Sequence, residues 1–188
     1  MQKIKTIGHF TSIGMRTKVD DPTALVINTC GKNDTADKGT PESWVFCNPT
    51  NRAIVHHYED IGAVSVEALW QGTKLLPGQT TPDHEILQGN WRKNKGKRPA
   101  GAYAGPNAPL ITSPGEARLR IYIPAFKNLI THWLQDKEVR TWISEAEQHD
   151  GPVYLRDHDT GRGIMRNGPM SHSWLFCVWL NTKDWPKE

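Results

Sequence analysis

The chain has 188 residues, of which 37% are hydrophobic and 23% charged, with a formal net charge of +3. That is enough apolar content for one core, too much for a disordered chain, and too little positive charge to indicate nucleic-acid binding by itself. No apolar run approaches a bilayer-spanning length, and Met1-Gln2-Lys3-Ile4-Lys5-Thr6-Ile7 is not followed by the apolar stretch of a secretory leader, so a cytoplasmic protein without membrane contact is expected.

Strand-like runs come first: Ala24 to Cys30 and Trp44 to Cys47, separated by a polar stretch. After Gly62 the period changes. Val66, Leu69, Trp70 and Thr73 share one helical face behind Ser65 as N-cap, and Pro77-Gly78 stops the segment, which predicts a helix from about Val66 to Leu76. Thr81-Pro82-Asp83 opens a second helix, with Thr81 as its cap and its end in the basic stretch before Gly96. Pro99 to Pro106 reads as a long loop. Ser113 and Glu116 have capping-box spacing and start a helix toward Tyr122, which Pro124 must bend or restart on the way to Leu134.

Asp136 to Gln148 carries Val139, Trp142, Ile143 and Ala146 on one face with Gly151 beyond, an amphipathic scaffold helix. Pro152 to Asp157 follows as a short strand, then a Gly/Asp/Arg loop, and Ser171 to Leu180 as a last apolar segment whose length favours helix, with Phe176, Val178 and Trp179 leaving strand as the alternative. The expected fold is therefore a single α+β domain over residues 1–188, a helical core with a small sheet. Its first sixty residues are β-rich, and 64–180 are mostly helical and carry the site.

On the first helix Glu67, Gln71 and Lys74 fall at i, i+4 and i+7, so a carboxylate, an amide and an ammonium form one polar stripe. Spacing alone favours a solvated face over a site. The segment Ser65-Val66-Glu67-Ala68-Leu69-Trp70-Gln71-Gly72-Thr73-Lys74 resembles the Ser-Val-Glu-x-x-x-Gln-x-x-Lys segment of the NADAR superfamily of N-glycosidases. Trp44 to Pro49 resembles that family's aromatic strand, and Asp157 to Gly163 its acidic loop, in the manner of a divergent member.

The resemblance implies a NADAR-like fold and hydrolysis of a ribose C1–N bond in a nucleotide-like or ADP-ribosylated substrate, including ADP-ribosyl-guanine in nucleic acid. Glu67 is then the catalytic carboxylate. Cleavage leaves an oxocarbenium-like sugar, which one carboxylate stabilises while a second shares the acid–base work. Asp159 is the expected second acid, with Asp157 as the alternative. Arg118, Arg120 and Lys74 are expected to hold phosphate, and Trp70, Gln71, Tyr122, Arg162 and His172 to complete the substrate contacts. A non-catalytic nucleotide-binding or nucleic-acid-binding module on the same fold is the competing reading.

Arg92, Lys93, Lys95, Lys97 and Arg98, between Trp91 and Tyr103, are the one feature suited to nucleic acid, with charge for phosphates and rings for bases. Cys30, Cys47 and Cys177 are odd in number and lack any Cys-x-x-Cys pairing, which suits buried thiols in a reducing compartment. His158, His172, Asp157 and Asp159 have no metal-ligand spacing, so neither metal nor cofactor is expected.

Overall fold

In the computed structural model, which describes residues 9–31, 38–57, 61–90, 93, 96–165 and 168–187, the chain is α+β. Its elements are β1 (Phe10–Gly14), β2 (Leu25–Asn28), β3 (Val55–His57), β4 (Ile61–Ala63), α1 (Val66–Gly72), β5 (Lys74–Leu75), α2 (His84–Leu87), β6 (Gly101–Ala102), α3 (Pro114–Ala117), α4 (Ile123–Trp133), α5 (Lys137–Gln148), β7 (Val153–Asp157) and α6 (His172–Thr182).

The main sheet draws its strands from both ends of the chain in the order β1-β7-β2, with β1 and β2 each parallel to β7. The register runs from Phe10 opposite Val153 to Gly14 opposite Asp157, so the carboxyl ends of the strands lie together. Val153, Leu155 and Asp157 point to the buried face of β7, which leaves a carboxylate at the end of an apolar stripe. Gly151, just before β7, lets the lead-in to β2 approach closely: a Cβ there would lie 2.0 Å from the Thr23 carbonyl oxygen. Backbone cannot rotate aside as a side chain would, so Gly151→Ala is expected to destabilise the fold by about 2 kcal/mol. Equilibrium urea unfolding measures this, and an unchanged midpoint would refute the close approach.

Residues 44–47 differ from the strand expected there, since Val45–Cys47 form a 3-10 turn. Trp44, Val45, Phe46 and Cys47 are all buried, which an alternating strand on a one-sided sheet does not achieve and a tight turn does. Trp44 and Phe46 pack against Phe176 of α6, with ring centroids 6.1 and 5.9 Å away, and form the aromatic centre of the core.

α1 starts at the expected cap, Ser65 Oγ accepting from the Ala68 N–H at 3.1 Å, but ends at Gly72 rather than Leu76. Thr73 Oγ1 donates back to the Leu69 carbonyl at 2.9 Å, and the chain turns into β5, paired antiparallel with β6 inside the segment expected to be loop. α2 is capped by Asp83 instead of Thr81, because its carboxylate accepts from the Glu85 and Ile86 N–H groups, and the helix stops at Leu87.

Ser113 caps α3 as expected. Between α3 and α4, residues 118–122 widen into a π-helical turn in which the Ile123 N–H reaches the Arg118 carbonyl. Pro124 lacks an N–H and crowds the preceding turn, and the widened turn lets one helical rod continue through it. α5 and α6 occupy the expected segments, capped by Asp136 and Ser171. Among the described residues no helix is long and apolar enough to cross a membrane.

Candidate active site

A cavity of about 510 Å³ opens between α1, the β5–β6 pair, the start of the α3–α4 rod and the loop that joins β7 to α6. Glu67 and Lys74, from one short segment, and Asp159, from more than eighty residues further on, all face it. Trp70, Gln71, Arg118, Tyr122 and His172 also line its wall, and Pro99, Ala102 and Ile111 supply an apolar side. A pocket with convergent polar groups and an apolar flank suits a ligand that has both a charged part and a planar part.

The stripe on α1 is hydrogen-bonded end to end. Gln71 Nε2 donates to Glu67 Oε1 at 2.7 Å, and Lys74 Nζ donates to Gln71 Oε1 at 3.0 Å. Lys74 reaches Gln71 from β5, not from a further helical turn. Both ends of the amide are thereby oriented. The second oxygen of Glu67 makes no hydrogen bond among the described residues. Lys74 Nζ lies 4.5 Å from the centroid of the Trp70 ring, whose neighbour Tyr122 meets it edge-on and stacks on Phe126. Both rings therefore build the wall, Trp70 also holds the ammonium, and part of their surface is already occupied. Burial, and after it the charge of Glu67, push the Tyr122 hydroxyl well above its ordinary value.

Burial lowers the Lys74 ammonium to about 8, with Glu67 opposing the shift and Arg118 adding to it. The sign is that of a buried cation. Above pH of about 8 the folded protein loses the Lys74 charge while the unfolded chain keeps it, so the cost of burying the ammonium fades as pH rises toward the ordinary lysine value. For a phosphate-bearing ligand the same step removes the attraction. If the cavity takes a phosphate-bearing ligand, its affinity, with ADP-ribose as the probe, is expected to fall as pH passes through about 8 in the wild type and to be weak and level in Lys74→Met. Calorimetric titration across that range tests it, and a parallel fall in both proteins would refute the role given to Lys74.

Asp157 and Asp159 separate cleanly. Asp157 is 2% exposed and turned into the core, and Asp159 lies past the end of β7, on the cavity. Strand alternation does not continue to Asp159, so the two acids do not share a side. Asp157 Oδ2 accepts from Ser171 Oγ at 2.6 Å and the Ser173 N–H at 3.2 Å, and His172 Nδ1 stands 3.0 Å from it. Burial would raise the Asp157 carboxyl, but the hydrogen bond and charge of His172, with the Ser171 and Ser173 donors, hold it well below the usual carboxylate range. At the N-terminus of α6 it also meets the positive end of the helix dipole. For Asp159, burial and then the charge of Asp157 push the carboxyl up.

The expected basic contacts divide. Arg118 is buried and donates to the Ile164 and Gly168 carbonyls, so it ties the β7–α6 loop to the rod and shapes the cavity wall. Arg120 is absent from the wall; it is exposed and paired with Glu116 at 3.0 Å, because two residues along a helix turn a side chain by about half a turn from Arg118. Arg162 also lies off the wall and donates to the Ser12 carbonyl at 2.7 Å.

Of the basic run, Trp91, Arg92 and Lys95 lie outside the described residues. Lys93 pairs with Asp83 and Glu85, each at 3.0 Å, Lys97 and Arg98 are exposed, and Tyr103 is buried in the core. Cys47 and Cys177 are buried thiols, and burial pushes both up. Cys30 is half-buried beside Asp157, a proximity that no short-range spacing signals.

The profile of a family of unknown function, DUF6939, matches residues 39–176, a stretch that contains every cavity residue named above. No curated protein and no solved structure matches the chain.

Proposed function

Because the chain belongs to the DUF6939 family, whose function is unknown, its activity has to be read from the cavity, and we propose that it hydrolyses a ribose C1–N bond in a nucleotide-like or ADP-ribosylated substrate. The observation that carries this reading is the convergence of Glu67, Lys74 and Asp159 on one cavity. As the nitrogen departs, positive charge develops at the sugar. The carboxylate of Glu67, oriented by Gln71, is placed to stabilise that charge and to accept a proton from the attacking water. Asp159 supplies the second acid, Lys74 attracts phosphate as a point charge, and the apolar flank receives the base. Two acids, a cation and an apolar flank in one enclosure answer the needs of a phosphorylated riboside better than those of a neutral sugar.

A panel of ribosylamine nucleotides and ADP-ribosylated guanosine, free and in oligonucleotides, tests the activity, with free ribose phosphate or ADP-ribose read by mass spectrometry. Release from at least one member is expected. Tight capture without release from any of them would leave a binding module in its place. If the substrate is carried on nucleic acid, exposed Lys97 and Arg98, beside Pro99 at the cavity edge, are positioned to meet its phosphates, and affinity then falls with salt.

A further inference from the structure

At the carboxyl ends of the main sheet stands a second constellation, which the hydrolytic reading does not use. Cys30 follows β2, Asp157 ends β7 and His172 opens α6, and a donor atom from each lies within 4.8 Å of the others. We propose that Cys30, Asp157 and His172 form a binding site for a zinc-class divalent cation.

The donor set is the first support. A thiolate, an imidazole and a carboxylate together suit a borderline-soft ion such as Zn²⁺ and suit Mg²⁺ or Ca²⁺ poorly. A tetrahedral ion with bonds of about 2.0–2.3 Å places its ligand atoms roughly 3.3–3.8 Å apart. The Cys30 Sγ to Asp157 Oδ1 distance is 3.3 Å and His172 Nδ1 to Asp157 Oδ2 is 3.0 Å, one contact to each carboxylate oxygen, so small side-chain shifts bring three donor atoms that already lie within 4.8 Å of one another onto that scale.

The partners behind each ligand are the second support. A metal-bound imidazole commonly donates its other N–H to a carbonyl, and His172 Nε2 faces the Thr29 carbonyl oxygen at 3.3 Å. The His158 N–H points at Cys30 Sγ at 3.4 Å, the contact that steadies a thiolate. Asp157 is held from outside by Ser171 Oγ, the Ser173 N–H and the Asp159 N–H. All three ligands thus have outer partners of the polarity that a bound cation requires.

The order of the three residues is the third. The carboxylate lies between the thiol and the imidazole, and the hydrogen bond that Cys30 donates goes to the acid. A cysteine nucleophile is activated by an adjacent imidazole or cation that favours the thiolate, and here the thiol donates to a carboxylate instead. Cation binding displaces the thiol proton to solvent and leaves thiolate, carboxylate and neutral imidazole around the ion. Three protein ligands leave one position for water. His172 also lines the cavity, so the ion would brace the turn that carries Asp159.

The test is titration of the reduced full chain with Co²⁺ without oxygen. Tetrahedral visible bands and a thiolate-to-metal charge-transfer band are expected, both removed by one equivalent of Zn²⁺. Cys30→Ser, a half-buried and near-isosteric change, is expected to keep the circular dichroism of the wild type, lose the charge-transfer band and bind Zn²⁺ at least ~10-fold more weakly. Calorimetry of Zn²⁺ binding in buffers of different ionisation enthalpy is expected to report net proton release, as displacement of the thiol proton requires. No charge-transfer band in the wild type, or a band that persists in Cys30→Ser, overturns the site. These readouts are independent of whether any riboside is hydrolysed.

Discussion

Glu67→Gln is expected to lower turnover by ~10³-fold or more on whichever riboside of the panel the wild type hydrolyses, because the amide neither stabilises a developing cation nor takes a proton from water. A loss of that size corresponds to about 4 kcal/mol of transition-state stabilisation. The change is nearly isosteric, and the new amide oxygen can still accept from Gln71 Nε2, the contact that Glu67 Oε1 makes at 2.7 Å. Stability is therefore expected to stay within roughly 0.5 kcal/mol of the wild type. Single-turnover rates beside a thermal melt separate the two effects. Ligand affinity should persist, since the cation that attracts phosphate is Lys74. If the variant turns over at the wild-type rate, Glu67 is not the catalytic carboxylate.

Asp157→Ala is expected to be the most damaging change to the fold outside the apolar core. It deprives Ser171 Oγ, the Ser173 and Asp159 N–H groups, Cys30 Sγ and His172 Nδ1 of their shared acceptor at the joint between β7 and α6. Breaking a buried pair in this way costs ~3–5 kcal/mol, because the surviving partner is left without its counter-charge. For a chain of this size the melting temperature should drop by roughly 10 °C. Asp159→Ala, on the exposed side of the same turn, should change it by only about 1–2 °C. Calorimetric melts of both variants measure the contrast. Equal losses would contradict the assignment of one acid to the core and the other to the cavity.

Much of the local structure was legible in the residues. Ser65, Ser113, Asp136 and Ser171 each begin a helix because a side-chain oxygen caps N–H groups two or three residues on, a signal written within one turn. The pairing of Glu67 with Gln71 follows from helical spacing in the same way. Where a signal depended on surroundings, the local reading went astray. Trp44 to Cys47 has strand-forming residues, yet all four are buried, and a turn meets that demand. Lys74 was placed on a helix and sits on a strand, and its contact with Gln71 survives because the chain turns sharply after Gly72.

Sequence therefore established the α+β class, most helix starts and the polar stripe around Glu67, all of which depend on interactions a few residues long. The company of Glu67 was settled by folding. That Asp159 faces its cavity while Asp157 faces the core, that Arg162 stands off the wall, and that Cys30 meets Asp157 and His172 all follow from the pairing of β1 and β2 with β7 and from the packing of α6 upon them. Parallel pairing has no short-range code. Its register is set by which faces can be buried together, so residues far apart in the chain become neighbours only when the core closes.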